Sequence, residues 1–135
     1  MTIDEDTKQK LMALAVQARQ WAYVPYSHYA VGAALLTDSG KIYDGVNIEN
    51  AAYPVTVCAE RVAVFKAVSE GERHFSVIAV VTKDGGAPCG SCRQVLSEFG
   101  LDTVVLIGND KGEILKETSV RELLPDAFSS EDLAK

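Results

Sequence analysis

Two short runs constrain this chain more than anything else in it: Phe-Ser-Val-Ile-Ala-Val-Val-Thr at residues 75–82 and Thr-Val-Val-Leu-Ile at residues 103–107. A strand with one wet face alternates apolar and polar residues. A run that is apolar throughout must be covered on both faces, as in the middle of an α/β sheet. Between the two runs, residues 89–99 form a helical segment, opened by Pro88 and stopped by Gly100. Strand, helix and strand in that order imply a right-handed crossover and parallel pairing. A second helical segment, residues 58–70, carries Val62, Phe65, Ala67 and Val68 and stops at Gly71, just before the first run.

The flanks complete the architecture. Residues 7–23 place Leu11, Leu14, Ala15, Ala18, Trp21 and Ala22 at helical spacing, with acidic residues ahead and Pro25 as a stop. Residues 30–36 and 41–47 form a hairpin around Asp38-Ser39-Gly40. Residues 113–117 return after a turn at 109–112, and Ser119 caps a short helix ended by Pro125. The expected order is α-β-β-α-β-α-β-β-α: a three-layer α/β/α fold with a mixed sheet of about five strands. With 135 residues, 47% of them apolar, residues 1–135 are expected to make a single domain.

The net charge is −6, with no basic cluster. That speaks against a nucleic-acid partner, which would require a positive surface. No apolar stretch approaches the ~20 residues that span a bilayer, so no membrane partner is expected. The first residues are acidic, without the apolar core of a signal peptide. The three cysteines, Cys58, Cys89 and Cys92, cannot close a disulfide framework within one chain. Cytoplasmic localisation is expected, where thiols stay reduced or bind metal.

The chemistry concentrates in Cys58-Ala59-Glu60-Arg61 and Pro88-Cys89-Gly90-Ser91-Cys92-Arg93-Gln94. A Cys-x-x-Cys pair alone is equally a redox pair or two incidental buried thiols. A third cysteine at the start of another helix favours a metal, because helix N-termini stabilise thiolates. Structural zinc usually takes four protein ligands and catalytic zinc three. His28 and His74 lie far from the cysteines in sequence, which favours the three-ligand arrangement, with a structural or redox site as the alternative.

Three thiolates on Zn²⁺ make an electron-rich, weakly Lewis-acidic centre, so charge must be drawn from sulfur. Arg61, at i+3 from Cys58, and Arg93, at i+4 from Cys89, share helix faces with ligands and suit that role. Their plain alternative is solvated surface arginines. Glu60 is either a surface acid complementing the helix dipole or, beside a metal-activated water, the group that carries that water's proton to substrate.

These segments resemble those of zinc-dependent cytidine deaminases, of the small homotetrameric type with three cysteine ligands. The likeness extends to Tyr23-Val24-Pro25-Tyr26-Ser27, Val31-Gly32-Ala33-Ala34-Leu35, Gly45-Val46-Asn47-Ile48-Glu49-Asn50-Ala51-Ala52-Tyr53 and Leu123-Leu124-Pro125. It implies one zinc per subunit on Cys58, Cys89 and Cys92, with Glu60 as the proton shuttle. It implies that Asn47 and Glu49 bind ribose hydroxyls and that the backbone at Ala59 orients the exocyclic amine. Tyr29 stands where the family usually has phenylalanine packed on the pyrimidine. Tyr53 and Phe128 match residues that reach a neighbouring subunit's site. The loop from 82 to 88 is shorter than is common in the family.

The implied reaction is hydrolytic deamination of cytidine and 2′-deoxycytidine to uridine and 2′-deoxyuridine. The alternatives are a deaminase of another aminopyrimidine nucleoside, such as a nucleoside antibiotic, a polynucleotide deaminase disfavoured by the acidic charge, and a non-enzymatic zinc or redox domain.

Overall fold

A computed structural model describes residues 3–134. The first helix, α1 (Glu5–Ala18), starts two residues earlier than its apolar pattern, because the Asp4 carboxylate accepts from the Thr7 amide at 2.8 Å and caps it. It also ends earlier. The backbone tightens into a single 3₁₀ turn over Arg19–Trp21. Tyr23 is then drawn into an extended bridge with Ile48, well before Pro25 could act as the stop.

Five strands form one sheet: β1 (Gly32–Thr37), β2 (Ile42–Val46), β3 (Phe75–Val81), β4 (Val104–Gly108) and β5 (Ile114–Ser119), in the order β2-β1-β3-β4-β5. Helix α2 (Ala59–Ser69) connects β2 to β3, and α3 (Gly90–Ser97) connects β3 to β4. The pair β3–β4 is parallel, and both hairpins, β1–β2 and β4–β5, are antiparallel. The crossover through α2 skips a position. β2 and β3 run the same way, but β1 lies between them, antiparallel to each. The parallel direction expected from the alternation holds, while adjacency holds only for β3–β4. The chain closes with α4 (Val120–Leu123) and α5 (Ser130–Leu133). The sequence pattern does not signal α5, which is held by a Ser129–Asp132 capping box.

Alternation along the strands divides the core in two. Ala33, Leu35, Ile78, Val80, Val105 and Ile107 pack against α2 and α3. Ala34, Val77, Ala79, Val81 and Leu106 pack against Leu11, Met12 and Ala15 of α1. This is the three-layer arrangement, and it explains the apolar runs: successive residues of β3 and β4 face different helical layers, both dry. Gly45 lets α2 approach β2 closely, since a Cβ there would overlap the Ala59 carbonyl. The first turn of α2 is thereby pressed onto the sheet. Among the described residues no helix is long and apolar enough to cross a membrane.

Candidate active site

Cys58 and Cys89 occupy equivalent places. Each is the residue immediately before a helix, extended, with φ −74° and ψ 154° at Cys58 and φ −68° and ψ 167° at Cys89. Cys92 lies one turn into α3 and is fully buried. Backbone pairing brings the start of α2 together with the end of β2. Ile48 and Val57 exchange amide-to-carbonyl hydrogen bonds of 2.9 and 3.0 Å. Asn47 and Cys58, their outer neighbours, are carried into the same cavity.

The three sulfurs lie within 4.8 Å of one another, the only such metal-competent group among the described residues. Cys58 Sγ and Cys89 Sγ are 3.9 Å apart, and Cys89 Sγ and Cys92 Sγ 3.5 Å. Tetrahedral zinc with Zn–S bonds of ≈ 2.3 Å separates its sulfurs by about 3.8 Å. The donor set and its spacing fit zinc.

Glu60 sits in the first turn of α2 with 4% of its surface exposed. Burial, together with the charge of Cys58, holds its carboxyl above the usual carboxylate range. Arg61 Nη2 donates to Cys58 Sγ at 3.3 Å. Its Nε is buried and has no hydrogen-bond partner among the described residues. The Cys58 thiol is drawn down to about 5, first by a hydrogen bond with Cys92 and then by Arg61, against the cost of burial. Cys92 is driven the opposite way by that hydrogen bond and by its own burial.

Arg93 does not repeat the behaviour of Arg61. Its Nε donates to Pro88 O at 2.8 Å and its Nη1 to Leu123 O at 2.9 Å. Among the described residues it makes no hydrogen bond to sulfur. A shared helix face puts its Cα near Cys89, but two backbone carbonyls nearby take up the guanidinium.

The cavity of about 210 Å³ is lined by Tyr29, Asn47, Cys58, Ala59, Glu60 and Cys89, together with residues the sequence did not single out, among them Thr82 and Gly86. It lies below the ~300–1,000 Å³ usual for drug-sized ligands, so it suits a compact molecule. Asn47 already serves the loop above it: Oδ1 accepts from Val31 N at 2.9 Å and Nδ2 donates to Tyr29 O at 2.8 Å. One amide proton and one lone pair remain for a ligand. Glu49 Oε1 accepts from the Tyr26 and Ser27 amides, and Oε2 from the Ser27 hydroxyl. Those bonds, the hydroxyl's first, hold its carboxyl below the ordinary range.

Glu49 and Tyr53 line a neighbouring depression with Tyr26, Ser27 and Thr56, not the cysteine cavity itself. Tyr53 is 71% exposed and Phe128 56%, and neither reaches the cysteines of its own chain. The Phe128 carbonyl accepts from Gln94 Nε2 at 3.0 Å, which ties the C-terminal segment to α3. Thr82 is legible only in hindsight. Its place before Asp84-Gly85-Gly86 suits a hydroxyl-capped turn.

An α/β/α sheet that presents three cysteine sulfurs and a buried acid at two helix starts has the parts of a metal-dependent hydrolase of the zinc type. The family model for the cytidine and deoxycytidylate deaminase zinc-binding region matches residues 5–108. A cytidine deaminase of Sporosarcina psychrophila is 55% identical over 129 residues, covering 93% of this chain and 94% of that one. One from Halalkalibacterium halodurans is 54% identical over 129 residues, covering 93% and 97%. The crystal structure of cytidine deaminase from Burkholderia pseudomallei superposes with a TM-score of 0.85 at 44% identity, covering 93% of this chain and all of that one. The chain belongs to the cytidine deaminase family.

Proposed function

We propose that this protein deaminates cytidine and 2′-deoxycytidine hydrolytically: the base gains water at C4 and loses its exocyclic amine as ammonia, giving uridine or 2′-deoxyuridine. The observation that carries the reading is Glu60, buried in the same small cavity as Cys58 and Cys89, whose sulfurs cluster with that of Cys92. The likeness to cytidine deaminases supports the choice of substrate.

Cys58, Cys89 and Cys92 hold zinc, one per subunit, and zinc when bound supplies the Lewis acidity that activates the attacking water. Glu60 takes a proton from the attacking water at its carboxylate and delivers it to N3 of the base, then carries that water's second proton from the new C4 hydroxyl to the amine, which departs as ammonia as the C4 carbonyl forms. Burial among apolar walls keeps that proton from leaking to solvent. Arg61 donates to Cys58 Sγ and drains negative charge from it. The backbone at Ala59 orients the exocyclic amine. Tyr29 packs on the pyrimidine. Asn47 and Glu49 bind the ribose hydroxyls, already fixed in place by their hydrogen bonds to residues 26–31. A site that hydrogen-bonds the sugar rejects free cytosine, which would leave those groups unpaired.

The working unit is a homotetramer in the cytoplasm, with Tyr53 and Phe128 completing the sites of neighbouring subunits. The support is their exposure as large aromatic side chains outside their own cavity. The test follows the ultraviolet absorbance of cytidine with purified protein, before and after chelation, beside deoxycytidine, cytosine and an aminopyrimidine antibiotic. Zinc-dependent loss of cytidine and deoxycytidine, with cytosine spared, is expected. Turnover of the antibiotic alone would overturn the substrate assignment. Light scattering alongside activity tests the tetramer: an active monomer would sink it.

A further inference from the structure

From the packing of one hydroxyl on one glycine, we infer that Tyr29 and Gly86 are an interlocking pair and that Gly86 is a positioning residue acting through Tyr29. The inference rests on the nucleoside reading of the cavity, which both residues line. A Cβ built on Gly86 would overlap Tyr29 Oη, while the ring carbon that bears the hydroxyl would lie at 3.6 Å and Thr82 Oγ1 at 3.7 Å. Those two are ordinary contacts. Of the three nearest atoms, the hydroxyl oxygen alone comes closer than ordinary contact, so a side chain at position 86 requires that oxygen to move. Gly86 is also not held at a positive φ, so its backbone accepts an L-residue.

The backbone is held on both sides. The Tyr29 amide donates to Ser27 Oγ at 3.0 Å, and its carbonyl accepts from Asn47 Nδ2 at 2.8 Å. On the other side, buried Thr82 Oγ1 accepts the Gly85 and Gly86 amides at 2.8 and 2.7 Å, pinning the loop that leads to Pro88 and Cys89. With both backbones anchored, a methyl at position 86 is relieved mainly by turning the tyrosine ring, and that ring is a wall of the cavity. Oη has no hydrogen-bond partner among the described residues, so its role in the pair is steric.

The test is a double-variant cycle on zinc-loaded protein, reading KM and kcat for cytidine and, separately, uridine affinity by calorimetry. Gly86→Ala in the native background is expected to raise KM and weaken uridine binding by about 10-fold or more, the scale on which small misplacements act, with kcat changed far less. In the Tyr29→Phe background the same substitution should change either quantity by less than about 2-fold relative to Tyr29→Phe alone, because distant, unlinked changes add and this one does not. Equal damage in both backgrounds overturns the pair, and so does a Gly86→Ala variant that matches the native protein. Should Gly86→Ala fail to fold, the Tyr29→Phe/Gly86→Ala protein decides. Recovery of folding and uridine binding supports the pair, and continued failure overturns it. Absence of cytidine turnover in the native protein would instead remove the proposed function, a different result from loss of coupling.

Discussion

The N-termini of α2 and α3 have nearly the same backbone entry, each with a cysteine just before the first turn and an arginine three or four residues on. They use those arginines differently. On α2, Arg61 reaches back to Cys58 Sγ. On α3, Arg93 spans from Pro88 O to Leu123 O and ties the cysteine loop to α4. One end places its cation on the ligand, and the other spends it on the scaffold. Equivalent spacing on a helix fixes which face a side chain shares, but the nearest unpaired acceptor decides what it binds.

That contrast can be broken in order of expected effect. Cys92→Ala removes the buried sulfur and should abolish zinc content and turnover together, with a lower melting temperature, because metal binding also supports the fold. Zinc retained near one per chain, by atomic absorption, would contradict the ligand set. Glu60→Gln should keep its zinc and lose about 10²–10⁴-fold in kcat, the usual contribution of a positioned acid–base group.

The same substitution tests the electrostatics. A carboxyl whose folded pKa lies above its unfolded value favours folding only while protonated. That contribution is complete below about 4.5, the ordinary value, and is lost as pH rises through the raised one. At pH 7–8 the chelated Glu60→Gln protein should therefore melt above chelated native protein, with the gap closing as pH falls toward 4.5. An absent or inverted gap would show that burial does not penalise the ionised acid.

Arg61→Ala should weaken zinc affinity by about 10–100-fold, as loss of groups supporting metal ligands typically does, and shift the rate–pH profile. Arg93→Ala should leave zinc affinity and the profile in place. It should cost about 1–3 kcal/mol of stability, from two hydrogen bonds given by a charged group, measured by denaturant unfolding. If the two variants exchanged these signatures, the division between the helix ends would be wrong.

Much of this was legible in the chain. The nearly all-apolar runs of β3 and β4 announce burial on both faces, since a strand with one wet face alternates apolar and polar residues. The spacing of Cys89 and Cys92, with Cys58 at another helix start, announces a metal. Other features were not legible. The insertion of β1 between β2 and β3 depends on a pairing of strands some forty residues apart, which no local pattern encodes. The early end of α1 depends on Tyr23 pairing with Ile48. Thr82 and Gly86 are small residues in a loop, and their part is visible only once Tyr29 lies against them.

The sequence by itself determined the layers, the strand count, the three sulfurs and the acid beside them. Periodicity and short-range spacing act within a few residues, and hydrophobic burial enforces them. Only the tertiary structure decided which arginine reaches sulfur, that Asn47 and Glu49 brace the loop over residues 26–31, and that one tyrosine hydroxyl rests on one glycine. Those choices turn on which acceptors and which empty volumes come within about 3 Å after distant segments meet.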